Sequence, residues 1–123
     1  MLSEHEIEQS LSRIADALPG FIAAALVDMD SGMTLGYKAV DPEFDLATAS
    51  AYESEMLKQK VKLLHALGLS THVEDVLVTL SDQIHLVRVV GPATFLYLAA
   101  EKSRSNLAMV RSAVQRHAAD LAA

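Results

Sequence analysis

Two aspartates, Asp28 and Asp30, follow directly after an apolar run and are the pair most suggestive of catalysis in this sequence. In phosphotransferases of the haloacid-dehalogenase type, such a pair supplies the nucleophile and the acid. That motif requires Thr or Val where this chain has Gly32, together with a downstream lysine and an acidic pair on a larger parallel sheet. An EF-hand calcium loop requires a glutamate at its twelfth position, which here is Ala39. We therefore interpret residues 28–32 as a turn, with a phosphatase-like activity through Asp28 as a weaker alternative.

The histidines, glycines and serines also lack the spacings that support catalysis or cofactor binding. None of the five histidines falls in a zinc-binding motif, and the chain contains no cysteine. Neither of the glycine-rich phosphate-binding motifs occurs, so a nucleotide should belong to a partner. No serine has the context of a nucleophile elbow. We expect no catalytic residue, no metal and no cofactor, and hence a protein that is not an enzyme.

Length and charge restrict the function further. The 123 residues are enough for one domain, which we expect to cover residues 1–123. The net charge of −6, with the basic residues spread along the chain, argues against nucleic acid and against an anionic lipid surface. No apolar run reaches the roughly 18 residues of a membrane span, and the polar N-terminus does not resemble a secretory signal. We expect a cytoplasmic protein that binds another protein or a small ligand.

The first third of the chain predicts a helix followed by a hairpin. Ser3 and Glu6 are typical of a capping box, and Pro19–Gly20 ends the helix. The apolar run Phe21–Val27 predicts a buried strand, and Met33–Tyr37 predicts a second strand after the turn. Residues 38–44 are then a loop.

The remainder of the chain predicts a long helix, three strands and a last helix. Asp45 caps the long helix, which runs to Leu67 and ends at Gly68. Short connections indicate an antiparallel meander of strands at about Val73–Leu80, Ile84–Val90 and Thr94–Ala100. A final helix begins near Asn106, with an apolar stripe that reaches Leu121. The predicted order is α-β-β-α-β-β-β-α, an α/β (α+β) chain with one five-stranded antiparallel sheet and helices on both faces.

This order, with particular residues along almost the whole chain, resembles the Roadblock (dynein light chain) domain family. The motifs that carry the resemblance are Leu18-Pro19-Gly20-Phe21, Asp30-Ser31-Gly32, Phe44-Asp45-Leu46-Ala47, Ser105-Asn106-Leu107-Ala108 and Val110-Arg111. The resemblance implies a profilin-like sheet with strand order 2-1-5-4-3. It also implies dimerisation through the central helix and third strand, and regulatory binding of small Ras-like GTPases. It brings no catalytic residue.

The central helix independently indicates that part of its surface needs a partner. At 100° per residue, two neighbouring apolar stripes form: Leu46, Ser50, Leu57, Val61 and Leu64 in the first, and Ala49, Tyr52, Met56, Leu63 and Leu67 in the second. Together they cover about half of the circumference, wider than the ~100° that a simple core-facing helix needs. One stripe can face its own sheet, so the other needs cover from elsewhere.

Two charges within this arc, Glu53 and Lys60, favour a second copy of the helix as that cover. If two copies pack antiparallel about an axis between Met56 and Leu57, Glu53 of each faces Lys60 of the other. Alternatively, acidic residues early in the helix and basic residues late in it merely suit the helix dipole, or the Glu53 and Lys60 side chains both extend to solvent. The family's strand order implies that the apolar third strand lies on an edge, where it also invites pairing, unless Glu74 and Asp75 keep it monomeric. The predicted dimer interface comprises Glu53, Met56, Leu57, Lys60, Leu63, Leu64, Val76, Val78 and Leu80.

The outward face of the same helix is then left for another partner. It carries Glu55, Lys58, Gln59 and Lys62, which we predict to bind that partner, although such a face is often only solvated. The hypothesis is a non-enzymatic homodimeric scaffold that binds a small Ras-like GTPase and modulates its nucleotide cycle or localisation. The alternative is a profilin-like signalling domain that senses a small molecule, which would require a pocket.

Overall fold

The first helix begins at the capping box that the sequence predicts. A computed structural model describes residues 2–122, in which helix α1 spans Glu4–Ala17. The Glu6 backbone N–H donates to Ser3 Oγ at 3.1 Å, and the Ser3 N–H donates to Glu6 Oε1 at 3.4 Å. These two bonds satisfy donors that a helix start otherwise leaves free. The helix buries Ile7, Leu11 and Ile14 on one side.

The strands form one antiparallel sheet, as predicted. They are β1 (Phe21–Asp28), β2 (Thr34–Ala39), β3 (Asp75–Thr79), β4 (Gln83–Val89) and β5 (Thr94–Glu101). Their order across the sheet is β2-β1-β5-β4-β3. This confirms the hairpin, the meander and the order that the family resemblance implies. β2 and β3 are therefore the two edge strands.

Helices cover both faces of this sheet, so β1 and β5 are buried on each side. Helix α1 and the last helix α3 (Leu107–Ala118) pack on one face, around alternate residues such as Leu26, Leu96 and Leu98. Helix α2 (Leu46–Ala66) packs on the other face, over Ala23, Ala25 and neighbouring residues of β1 and β5. Residues that alternate between two buried faces explain why both strands are apolar throughout.

Several element ends differ from the prediction, most of all at the two edges. β2 begins at Thr34 and continues to Ala39, into the predicted loop, because Lys38 and Ala39 still pair with β1. β3 is shorter than the predicted Val73–Leu80, because the ladder with β4 includes only residues 75–79. The final helix ends at Ala118, and a 3-10 turn carries the chain to Leu121.

Candidate interaction surface

The β1–β2 turn fixes the middle of α2. Ser54 Oγ donates a hydrogen bond to the Met29 carbonyl, and Lys58 Nζ donates to the Asp30 carbonyl at 2.9 Å. Gly32 in the same turn has φ +74°, as its place in the turn predicted, and a Cβ added there would lie 3.2 Å from Ala51 Cα. The turn therefore supports the helix at close range.

Asp28 has a structural task in this turn. Its Oδ2 accepts hydrogen bonds from the Ser31 N–H at 3.0 Å and from Ser31 Oγ at 2.6 Å. These bonds favour the ionised carboxylate and lower the pKa of Asp28 below its ordinary value. The arrangement confirms the predicted turn, which Asp28 stabilises.

Beyond this support, α2 continues without cover from its own subunit. Its buried residues are Leu46, Ser50, Ser54 and Leu57, all in the first twelve positions of the helix. Four of the apolar side chains that follow are 37% to 60% exposed: Val61 37%, Leu63 47%, Leu67 60%, and Leu69 49% just past the end. Clustered apolar exposure of this kind makes this end of α2 a candidate interaction surface.

The second predicted stripe forms the uncovered side, which we call the open flank: Ala49, Tyr52, Met56, Leu63 and Leu67. Ala49 and Met56 are half-buried, and Tyr52 is three-quarters exposed. The residues of the first stripe differ in burial, because Leu57 is fully buried against the sheet whereas Val61 is exposed. The assignment of Leu57 to a dimer interface is therefore wrong, since its side chain has no surface left to offer a partner. Leu64, farther along, keeps partial exposure.

Glu53 and Lys60 both lie beside the open flank. Glu53 is half-buried, and this burial raises the pKa of its carboxyl above the ordinary value. Within residues 2–122, neither Glu53 nor Lys60 forms an ion pair. A half-buried carboxylate without a cation is unfavourable, so this position suits a positive charge from another chain.

The β3 edge contributes to the apolar cluster on which α2 packs. Val76 of β3 and Met56 of α2 pack against the same apolar cluster, while Val78 and Leu80 are about two-fifths exposed. Asp75 contacts Arg88 at 3.6 Å and Arg111 of α3 at 3.0 Å, so its charge is satisfied within the chain. Of the two acids that could guard this edge against pairing, only Glu74 is left exposed.

A short hydrogen-bonded chain, Gln83–His85–Tyr97, crosses the sheet on the α2 side and was not predicted. His85 Nε2 lies 2.7 Å from Gln83 Oε1, and His85 Nδ1 lies 3.3 Å from the Tyr97 hydroxyl. Because the amide oxygen can only accept, Nε2 carries the proton and Nδ1 accepts from Tyr97. Burial lowers the pKa of His85, and burial together with the nearby Glu53 charge raises the pKa of Tyr97.

The outward face of α2 holds the four residues predicted to bind a partner. Glu55, Gln59 and Lys62 are exposed, whereas Lys58 is half-buried. Lys58 also pairs with Glu55 at 3.3 Å in addition to its bond to the Asp30 carbonyl. Lys58 therefore helps to hold the helix. Glu55 is exposed but paired with Lys58, and Gln59 and Lys62 are exposed.

No helix within residues 2–122 is both long enough and apolar enough to cross a membrane. In the same range, no three histidine, aspartate or glutamate side chains come together as metal ligands would.

Comparison with known proteins identifies the fold. No family profile matches the sequence, and no curated protein matches it significantly. Solved structures do match. MglB of Myxococcus xanthus superposes with a TM-score of 0.86 over 99% of this chain and 90% of that one, at 14% identity. The fold is that of the Roadblock/LC7 domain.

Two further structures show the same Roadblock architecture. A Roadblock/LC7 domain from Streptomyces avermitilis has a TM-score of 0.79 at 19% identity, over 90% of both chains. The gliding protein MglB from Thermus thermophilus has a TM-score of 0.84 at 19% identity, over 97% of this chain and 87% of that one. The Roadblock resemblance stated from the sequence is thus confirmed for the fold.

Proposed function

We propose that this chain is a non-enzymatic homodimeric scaffold that binds a small Ras-like GTPase and modulates its nucleotide cycle or localisation. The observation that supports the dimer is the apolar exposure along the open flank and the end of α2, together with the exposed apolar residues of the β3 edge. The GTPase rests on the resemblance to the Roadblock family, whose fold this chain has.

The exposed apolar residues near the end of α2 supply part of the energy for dimerisation. Val61, Leu63, Leu67 and Leu69 are each about half exposed, so covering one contributes about 1 kcal/mol. In a symmetric dimer these four side chains are covered in both subunits, which contributes about 8 kcal/mol in total before the cost of association. Because that cost is of similar size, the helices alone make a marginal dimer, and pairing between β3 strands provides the remainder.

An antiparallel pair of α2 helices also places a cation where Glu53 needs one. With the helices related by a two-fold axis near Met56, Glu53 of each subunit faces Lys60 of the other. The axis passes through the half-buried Met56 side of the helix, because Leu57 is turned into its own core. The pair sits at the rim of the contact, so it contributes at most ~1 kcal/mol and mainly selects the register.

The outward face of α2 is the proposed GTPase contact. In a dimer built this way, Glu55, Gln59 and Lys62 of both subunits point away from the helix pair and lie side by side. This produces a two-fold polar surface with charges of both signs. A partner that binds across it would contact both subunits, so dimerisation would be required for binding.

The dimer is tested with Leu63→Asp, measured by analytical ultracentrifugation. Leu63 is about half exposed in the subunit, so the fold tolerates aspartate, but a buried unpaired charge at the interface should weaken the dimer about 100-fold or more. Leu107→Asp, at a similarly exposed leucine of α3, is the matched control and should leave the dimer intact. A wild-type chain that is monomeric at micromolar concentration would contradict the proposal.

The GTPase is tested by affinity capture from native lysate with identification by mass spectrometry. The wild type should retain a small GTPase, and Glu55→Lys combined with Lys62→Glu should lose it while remaining dimeric. Binding of the purified GTPase to the wild type, with a changed rate of nucleotide exchange or hydrolysis, would separate modulation from tethering. Repeated capture without any GTPase would favour the small-molecule sensor instead.

A further inference from the structure

The edge of the sheet opposite β3 is also open and apolar. β2 is the terminal strand on that side. Four large apolar side chains in it or beside it are between 42% and 68% exposed: Met33, Leu35, Tyr37 and Val40. An edge strand with so much apolar surface is a template for another strand.

The backbone of β2 has hydrogen-bonding groups available for such a strand. The Val40 N–H donates to the Ile22 carbonyl of β1 at 2.9 Å. In an antiparallel ladder, the backbone N–H and C=O groups of one residue bond to the neighbouring strand, and those of the next residue point away from it. The N–H and C=O groups of Tyr37 and Ala39 therefore point outward, toward the position that an added strand would occupy.

A cavity lies on each face of the sheet beside β2. On the α2 side, a cavity of about 680 Å³ lies between Thr34, Tyr37 and the loop that leads into α2. On the α1 side, a cavity of about 250 Å³ is lined mostly by apolar residues, including Leu35 and Ile7. Side chains of an added strand point alternately to the two faces, so they would enter the two cavities in turn.

The charges around these cavities restrict the sequence of the added strand. Glu43 and Asp45 line the larger cavity, and Glu4 lines the smaller one. Neither lining includes a basic residue. The carboxylates favour a segment in which lysine or arginine flanks the apolar residues.

A second copy of this chain is a poor occupant of this edge. A dimer joined through β3 would carry a β2 edge at each end, so pairing between β2 strands would add dimers without limit. An extended segment of a different protein would end the sheet instead.

We propose that the β2 edge binds an extended segment of a partner protein by strand addition. The segment carries apolar side chains that alternate between the two cavities, with lysine or arginine on either side. The site is separate from the proposed GTPase surface, and only the exclusion of a second copy rests on the proposed dimer.

Hydrogen exchange with a defined peptide tests this assignment. The probe is the peptide KVTVFVTVK, in which the valines point to one face and the phenylalanine to the other. The peptide should slow amide exchange at Tyr37 and Ala39 of the full chain. A peptide with proline in place of phenylalanine cannot continue the ladder, and one with glutamates in place of the lysines meets the acidic rim, so each should bind at least about fivefold more weakly.

Protein variants locate the site independently. Leu35→Asn and Tyr37→Lys change exposed side chains at the two cavities, so both should fold normally by circular dichroism and bind the peptide at least about fivefold more weakly. Leu107→Lys, on α3, should bind like the wild type. The proposal is overturned if millimolar peptide leaves exchange at Tyr37 and Ala39 unchanged, if residues 75–79 are protected instead, or if the proline peptide binds equally well.

Discussion

His85 is the residue whose surroundings make stability depend on pH. It is held neutral between the Tyr97 hydroxyl and Gln83 Oε1, opposite Val78 on β3, with Glu53 and Asp82 as the nearby charges. Burial lowers the pKa of His85 from its ordinary 6.5, although the charge of Asp82 opposes this shift. The folded chain therefore takes up this proton only at a lower pH than the unfolded chain does.

We expect the contribution of His85 to stability to be complete above pH 6.5, the ordinary histidine pKa, and to decrease as pH falls below it. The unfolded state gains the proton first, which stabilises that state. Thermal unfolding at about pH 7.5 and about pH 5.5 measures the effect, and His85→Gln should reduce the fall in Tm by half or more. His72→Gln, at an exposed histidine, is the control. If the Tm of His85→Gln falls between these two pH values as much as the Tm of the wild type, the assignment to His85 is contradicted.

Glu53 should lower the stability of the folded subunit but strengthen the proposed dimer. Burial raises the pKa of Glu53 because the ionised form is disfavoured, so Glu53→Gln should raise the stability of a monomeric Leu63→Asp background. In the wild-type background, the same change removes the proposed pair with Lys60 of the other subunit and should weaken the proposed dimer up to about fivefold.

Charge reversal separates this pairing from a simple burial effect. Glu53→Lys should weaken the dimer further, because two like charges then face each other, and adding Lys60→Glu should restore it. Sedimentation equilibrium of the three proteins gives the result, and a double variant that is no better than Glu53→Lys would rule out the pair.

At the scale of elements, the docking of α2 on the β1–β2 turn should depend on Gly32. Gly32→Ala places a Cβ 3.2 Å from Ala51 Cα in a backbone with φ +74°. Gly68 has a similar φ of +68°, but an added Cβ there meets nothing within 4 Å. Gly68→Ala should cost about 1 kcal/mol from strain alone, and Gly32→Ala should cost clearly more. Urea unfolding compares them, and equal losses would show that the contact with α2 contributes nothing.

Most elements could be predicted from the sequence because their signals are local. The capping box at Ser3 and Glu6, the turn glycine and the apolar runs each act over a few residues. The ends of β2 and β3 could not be predicted, because an edge strand stops where its single neighbour stops pairing. That neighbour lies elsewhere in the chain.

The candidate interface was predictable only in part, for a similar reason. Residue spacing showed that α2 has two apolar stripes, but the side that meets the sheet depends on how the β1–β2 turn holds the helix. Leu57 was misassigned on that account. The Gln83–His85–Tyr97 chain depends on strand register between β4 and β5, which the spacing of residues along the chain does not contain.

At the scale of the whole molecule, we expect one cooperative unfolding transition whose midpoint depends on protein concentration. One sheet with two apolar clusters that share β1 and β5 should unfold as a unit. Because the proposed dimerisation would stabilise only the folded state, a tenfold rise in protein concentration should raise Tm, whereas Leu63→Asp should show no such dependence. Calorimetry measures both. Two separate transitions would contradict a single domain.

The parts of α2 before and after Leu57 are under different sequence constraints. Up to Leu57 the side chains that face inward are committed to their own subunit, and beyond it they are available to another. If the proposed dimer forms, residues 59–69 could therefore be exchanged between paralogous chains to redirect which chain associates with which, while each recipient keeps Lys58 and its own core. Mixed dimers could arise by gene duplication through changes in this one short stretch of sequence.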